Sequence, residues 1–206
     1  MNNKIFKALY NIDMNNGFVN FGAMANKEYL KLVPEQIKMF EKFIKEGQQI
    51  NFILEAHDPN ALEFKTYPVH CVKDTPEAEV INELRKYQLM PGVNTYGKNC
   101  INGMLNRNAQ DQIRVLKALK EIVVEGVCAD LCVMDFARTL ARYLDEINHE
   151  AKIFVVRNAI DTFDAPGHNR AEWLDIAEKV MTQAGIEYVE NIEELEEKEK
   201  QYKLVA

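Results

Sequence analysis

The chain has 206 residues, 47% of them hydrophobic, with a net charge of −7 and a pI near 5.2; this suits one globular domain with a sizeable core. An acidic balance with no basic stripe excludes an ordinary nucleic-acid binder. No apolar run reaches the roughly 20 residues that span a bilayer, and the N-terminal MNNKIFKALYNID lacks the apolar core and cleavage site of a secretion signal, so a cytoplasmic location is expected.

KIFKALYNID (4–13) alternates and ends on an acid, which predicts a strand. NKEYLKLVPEQIKMFEKFIKEG (26–47) repeats apolar residues at helical spacing, with Pro34 as a break or a fresh start and Gly47 as the stop. QINFILEA (49–56) is a short apolar run of strand type. TPEAEVINELRKY (75–87) opens on a cap-like Thr75 followed by proline and predicts a helix. NAQDQIRVLKAL (108–119) predicts another helix, and EIVVEGV (121–127) a buried strand. Beyond it Val133, Phe136, Ala137, Leu140, Leu144 and Ile147 share one helical face. AKIFVVRNA (151–159), RAEWLDIAEKVMTQAG (170–185) and IEYVEN (186–191) predict a strand, a helix and a last strand. The charged tail from about residue 192 to residue 206 predicts a terminal helix.

Strands alternating with helices imply a mainly parallel sheet covered on both faces, a three-layer α/β/α fold. With no linker and no internal repeat, residues 1–206 are expected to form a single domain. The first strand is followed by MNNGFVNFG rather than G-x-G-x-x-G, so the dinucleotide-binding fingerprint is missing. In such sheets chemistry gathers beyond the carboxyl ends of the strands. Those ends carry Asp13, then Glu55 and His57, then Gly126 through Cys132.

Cys71, Cys100, Cys128 and Cys132 form no CxxC pair, and reduced thiols are expected in a chain without a secretion signal. Two readings of EGVCADLCVMDFARTL (125–140) stand side by side. A cysteine where a strand gives way to a helix meets unpaired N–H groups and the positive end of the helix dipole, both of which favour thiolate. Free cysteine is also among the most buried residue types, so both thiols could simply be core.

Four motifs in order bear on that choice: NIDMNNGFV (11–19), PVHC (68–71), YGKNCING (96–103) and GVCADLCV (126–133). Together they resemble the isochorismatase-like cysteine hydrolases, and within that superfamily the nicotinamidases, also called pyrazinamidases, over about residues 8–190. The resemblance implies an isochorismatase-like, Rossmann-like fold and a catalytic triad of Asp13, Lys98 and the nucleophile Cys132. It implies a cis peptide between Val127 and Cys128, with the backbone N–H groups of Cys128 and Cys132 as oxyanion hole. The implied reaction is hydrolysis of nicotinamide to nicotinate and ammonia through a thioester, with Asp13 as general acid and base. An N-carbamoyl compound or another small amide is the alternative substrate, and a non-catalytic small-ligand binder the alternative class. Isochorismatases proper lack the nucleophilic cysteine, so Cys132 argues against vinyl-ether hydrolysis.

The resemblance also implies one divalent metal, zinc first, with iron or manganese as alternatives. Its ligands align as Glu55, His57 and His70, with glutamate standing where the family has aspartate; Asp58 or Glu63 could supply an oxygen instead. Phe18 matches a wall of the family's ring pocket, and Tyr67 stands where relatives carry tryptophan. His149 and His168 read as surface or loop residues, the latter in DAPGH (164–168), a stretch that could border the pocket or a subunit contact. The expected partner is a small-molecule amide, with no nucleic acid and no membrane; a homo-oligomer is left open.

Overall fold

β1 (Lys7–Ile12) is buried at every residue, the mark of a strand covered on both faces. The computed structural model describes residues 6–205, so Lys4 and Ile5 of the first predicted strand lie outside the described residues. After β1 come α1 (Asn16–Val19), a 3-10 segment over Lys27–Leu32 and α2 (Val33–Glu46). Pro34 is thus a fresh start. It sits in the first turn of α2, where its missing N–H costs nothing, and Gly47 ends the helix in the left-handed conformation at φ 63°. Then follow β2 (Gln49–Glu55), α3 (Asn82–Gln88), β3 (Asn94–Lys98), α4 (Ala109–Leu116), β4 (Glu121–Val127) and α5 (Met134–Glu146). β5 (Lys152–Asp161), α6 (Arg170–Gln183), β6 (Glu187–Val189) and α7 (Ile192–Val205) complete the chain.

The strands pair in the order β3-β2-β1-β4-β5-β6, every pair parallel. One face of this single-domain sheet is covered by Phe18 of α1, Met39, Phe40 and Phe43 of α2, Leu84 of α3 and Leu195 of α7. Phe40 stacks on both Phe52 and Tyr87, with centroids 5.2 and 4.9 Å away. Truncating such a ring to alanine costs about 3–5 kcal/mol. The other face packs Leu116 of α4, Phe136 and Leu140 of α5, and Met181 of α6. The three-layer reading is correct, and the apolar stripe of α5 is buried as its spacing predicts.

Two elements differ from the sequence reading. The helix predicted over 75–87 starts only at Asn82, after a short 3-10 turn over Pro76–Ala78. Tertiary pairing diverts the chain between: Asn16 N–H donates to Glu79 O, Ile81 N–H donates to Met14 O, and Val80 pairs with Asn15. Thr75 caps nothing; its hydroxyl donates back to Val72 O. β3 was not anticipated, because NTYGK holds one buried apolar side chain, Tyr96.

Two buried polar groupings stand out. Asn11 and Glu125, neighbours on β1 and β4 and both fully buried, share a 2.9 Å hydrogen bond. Burial pushes the Glu125 carboxyl well above the usual range, against the pull of Asn11, so it is held as the neutral acid. At the opposite ends of the strands, Glu199 of α7 accepts from Lys7 at 2.6 Å and Lys42 at 2.9 Å, which docks the charged tail helix.

Candidate active site

The carboxyl ends of β3, β2, β1 and β4 lie side by side, and the candidate residues meet there. Register sets Glu55 opposite Lys98, and Ile12 opposite both Ile53 and Gly126. Asp13 follows at φ 52°, in the left-handed region that aspartate tolerates better than most residues, with its N–H on Ile53 O at 2.8 Å. Gly126 has φ 120°, and a Cβ there would stand 2.0 Å from Ile12 O, so only glycine lets β4 run this close to β1. The Val127–Cys128 peptide is cis, as the resemblance implied. One π-helical turn, Ala129–Val133, then leads into α5 and carries Cys132.

Lys98 is fully buried. Its Nζ lies 2.8 Å from Asp13 Oδ2 and 3.7 Å from Cys132 Sγ, and it also donates to Glu55 Oε1. Burial pulls its pKa down, but the Asp13 and Glu55 carboxylates hold it well above the ordinary lysine value, so it stays an ammonium. Burial pushes the Asp13 carboxyl up to about 7, with Lys98 opposing and Glu55 adding to the rise. The Cys132 thiol is also pushed well up by burial, with Lys98 pulling against it and both carboxylates adding to the rise. That corrects the thiolate expectation: Cys132 rests as a thiol, because burial and two carboxylates outweigh one lysine. A thiol beside a carboxylate poised near neutrality can hand over its proton when a substrate arrives.

Four further side chains converge next to this centre. Glu55 Oε2 lies against His57 Nε2 and 3.1 Å from His70 Nε2, and the two ring nitrogens are 3.3 Å apart. Glu63 sets one oxygen 3.7 Å from His57 Nε2 and accepts the Ile101 N–H at 3.1 Å with the other. His70 Nδ1 lies 2.7 Å from Pro68 O, which can only accept, so Nδ1 carries a hydrogen and Nε2 is the ring atom turned toward the cluster. Ligand atoms of Glu55, His57, Glu63 and His70 all lie within 4.8 Å of one another. Two imidazoles and two carboxylates form a donor set that suits a divalent transition metal. Asp58 is excluded from it: the side chain is 52% exposed and paired with Arg107 at 2.8 Å.

Phe18 and Tyr67 both line the inner chamber with Cys132, and the Phe18 ring sits 5.3 Å from that of His70. The chamber is tight, about 20 Å³, room for roughly one water. It adjoins an outer chamber of about 730 Å³ that shares Phe18, Tyr67, Met24 and Cys128. Cys128 Sγ lies 3.4 Å from Tyr29 OH, and burial pushes its thiol up to about 12.

The sequence model of the isochorismatase domain family matches residues 7–185. The chain belongs to the isochorismatase family. Nicotinamidase 1 of Arabidopsis thaliana is 30% identical over 171 residues, covering 76% of this chain and 70% of that protein. The crystal structure of N-carbamoylsarcosine amidase from Thermoplasma acidophilum has 25% identity and a TM-score of 0.70, covering 90% of this chain and 96% of that one. The pyrazinamidase of Pyrococcus horikoshii, solved in complex with zinc, shares the fold at 24% identity and a TM-score of 0.70, covering 89% and 98%. Among isochorismatase-family members the chain therefore stands with the nicotinamidase-like hydrolases of amide C–N bonds. No helix among the described residues is long and apolar enough to cross a membrane.

Sequence reasoning missed part of this candidate site. Phe64 presents its ring to both histidines, 5.1 Å from His57 and 5.7 Å from His70. Met24 and Leu131 close the inner chamber, and nothing in their local sequence marks them. His149 is a structural residue whose Nε2 lies 2.7 Å from Leu119 O. His168 sits in its predicted loop, but its ring reaches Asp130 at 2.8 Å, next to the cysteine turn.

Proposed function

We propose that the chain hydrolyses nicotinamide to nicotinate and ammonia, with Cys132 as nucleophile. The observation that carries this reading is the contact of one buried ammonium, Lys98, with both Asp13 and Cys132. Asp13 takes the thiol proton as sulfur attacks the amide carbon, and Lys98 compensates the negative charge that develops on sulfur. The backbone N–H groups of Cys128 and Cys132 receive the carbonyl oxygen. Asp13 then protonates the departing ammonia, leaving a thioester, and activates the water that releases the acid. Phe18 and Tyr67 flank the ring, and the smallness of the inner chamber means that these side chains shift to admit it.

Glu55, His57, Glu63 and His70 would hold one divalent metal, zinc before iron or manganese. Held there, a cation would supply positive charge that attracts a donor atom of the substrate's ring. The zinc held by the Pyrococcus horikoshii pyrazinamidase supports that choice. The family match over residues 7–185 supports an enzyme of one domain, which we read as cytoplasmic.

The likeness to N-carbamoylsarcosine amidase favours a second reading, a carbamoyl compound handled by the same three residues. Ammonia release from nicotinamide, set against a panel of carbamoyl amides, decides between them. Cys132→Ala should abolish turnover while Cys128→Ala keeps a measurable rate. Turnover surviving in Cys132→Ala would overturn the nucleophile.

A further inference from the structure

His168 takes no part in the chemistry above, yet all its polar atoms are engaged. Its backbone exchanges two hydrogen bonds with Ala165, of 2.9 and 3.0 Å. Its ring lies between those of Phe163, 3.8 Å away at 10°, and Trp173 of α6, 4.8 Å away at 4°. Nδ1 is 3.1 Å from Phe163 O, and Nε2 is 2.8 Å from Asp130 Oδ2. Asp130 is 2% exposed and belongs to the π-helical turn that carries Cys132.

A carbonyl oxygen only accepts, so Nδ1 carries a hydrogen. The contact with Asp130 must then hold a proton of its own, on Nε2 or on the carboxylate. Without it, a ring lone pair would face a buried carboxylate oxygen. One proton thus ties residues 161–170 to the cysteine turn. The same segment walls the outer chamber through Phe163, Ala165 and Arg170, beside Cys128. The charged and titratable groups around the pair are Asp161, Asp164 and Arg170 on its own segment, Lys31 and Tyr29 ahead of α2, Cys128, and Tyr67 across the chamber. Arg170 and Lys31 are already paired with Asp161, at 2.6 and 2.8 Å, which leaves Asp130 to His168.

We propose that His168 is a positioning residue for the hydrolysis: through its proton-bearing bond to Asp130 it fixes the turn that presents Cys132 and holds residues 161–170 against it. This rests on the reading of Cys132 as nucleophile. A single clasp would thus set both the nucleophile and the chamber wall.

His168→Phe keeps a ring between Phe163 and Trp173 and removes the bond. It should fold with a near wild-type Tm and lose about tenfold in kcat, with a smaller change in KM, as expected for one lost charge-assisted hydrogen bond. Amide hydrogen exchange over residues 163–168 and alkylation of Cys132 by iodoacetamide should both speed up severalfold. Asp130→Asn supplies the discriminating case. Its amide N–H can donate to Nε2 while Nδ1–H stays on Phe163 O, so the bond survives. Asp130→Asn should therefore show exchange and alkylation close to wild type. Wild-type exchange and alkylation in His168→Phe, or opening in Asp130→Asn as large as in His168→Phe, would overturn the proposal. Exchange and alkylation are read without turnover, so a wrong substrate assignment leaves this test standing.

Discussion

Glu55 and Lys98 face each other at the last register position of β2 and β3, and they divide one carboxylate between two centres. Oε1 accepts from the Lys98 ammonium, while Oε2 belongs to His57 and His70. Lys98 therefore neutralises two buried acids at once, Asp13 and Glu55. Lys98→Met keeps the bulk of the chain and removes the charge. Turnover should fall by roughly 10³-fold or more, on the scale of losing a catalytic group. Stability should fall by about 3 kcal/mol, because two carboxylates lose their buried partner. Ammonia assays and urea unfolding measure the two effects, and near-normal turnover would remove Lys98 from the mechanism.

Shared use of Glu55 also makes side-chain length testable. Glu55→Asp shortens the reach toward Lys98 by one methylene. Metal should still bind, since His57, His70 and Glu63 remain, while the Lys98 contact weakens. His70→Ala is expected to lose metal outright and raise KM for nicotinamide sharply. Elemental analysis of protein purified without chelator reads both. A metal-free wild type with full activity would dismiss the cluster as a metal site.

The pH profile should report Asp13. With its pKa raised to about 7, the carboxylate is the base only above that value and is protonated below it. The sign is that of an essential base: kcat/KM falls as pH drops through about 7, approaching tenfold per unit. Rates that hold constant down to the ordinary carboxylate range would contradict the assignment.

Glu125 gives a stability prediction of opposite sign. Its folded-state pKa is raised by burial, so the folded chain keeps a proton that the unfolded chain releases. Stability from this group is complete below the unfolded value and declines as pH rises toward the folded one. Glu125→Gln removes that decline. The variant should gain about 1 kcal/mol at neutral pH and much less in acid. Equal Tm shifts at both pH values would show that Glu125 is ionised in place.

Much of this was legible in the sequence because burial writes itself into composition. β1, β2, β4 and β5 are runs of apolar residues with turns at their ends, and α5 shows its stripe. β3 was not legible: an edge strand with one buried apolar residue has no pattern to show. The helix expected from Thr75 failed because pairing with residues 14–16 outweighs a local start signal. At the site, Asp13, Lys98 and Cys132 could be placed from their motifs, and the metal candidates from EAH and PVHC. The double duty of Glu55 could not, since it depends on strand register. Nor could the partner of His168, which lies 38 residues away in the chain. The thiolate expectation failed for another reason: a helix start is visible in sequence, whereas the burial of the sulfur and the two carboxylates beside it are not.

The strand order β3-β2-β1-β4 has a consequence for how activity arises. Asp13 and Cys132 stand 119 residues apart, and Glu55 and Lys98 come from the strands between. Joining distant segments carries a loop-closure cost and makes such contacts slow to form. No early fragment of the growing chain holds all four groups, because Cys132 emerges only after β4. Competence is therefore acquired once, when the central pairing of β1 with β4 closes. After dilution from denaturant, catalysis should return together with the burial of that pair and never ahead of it.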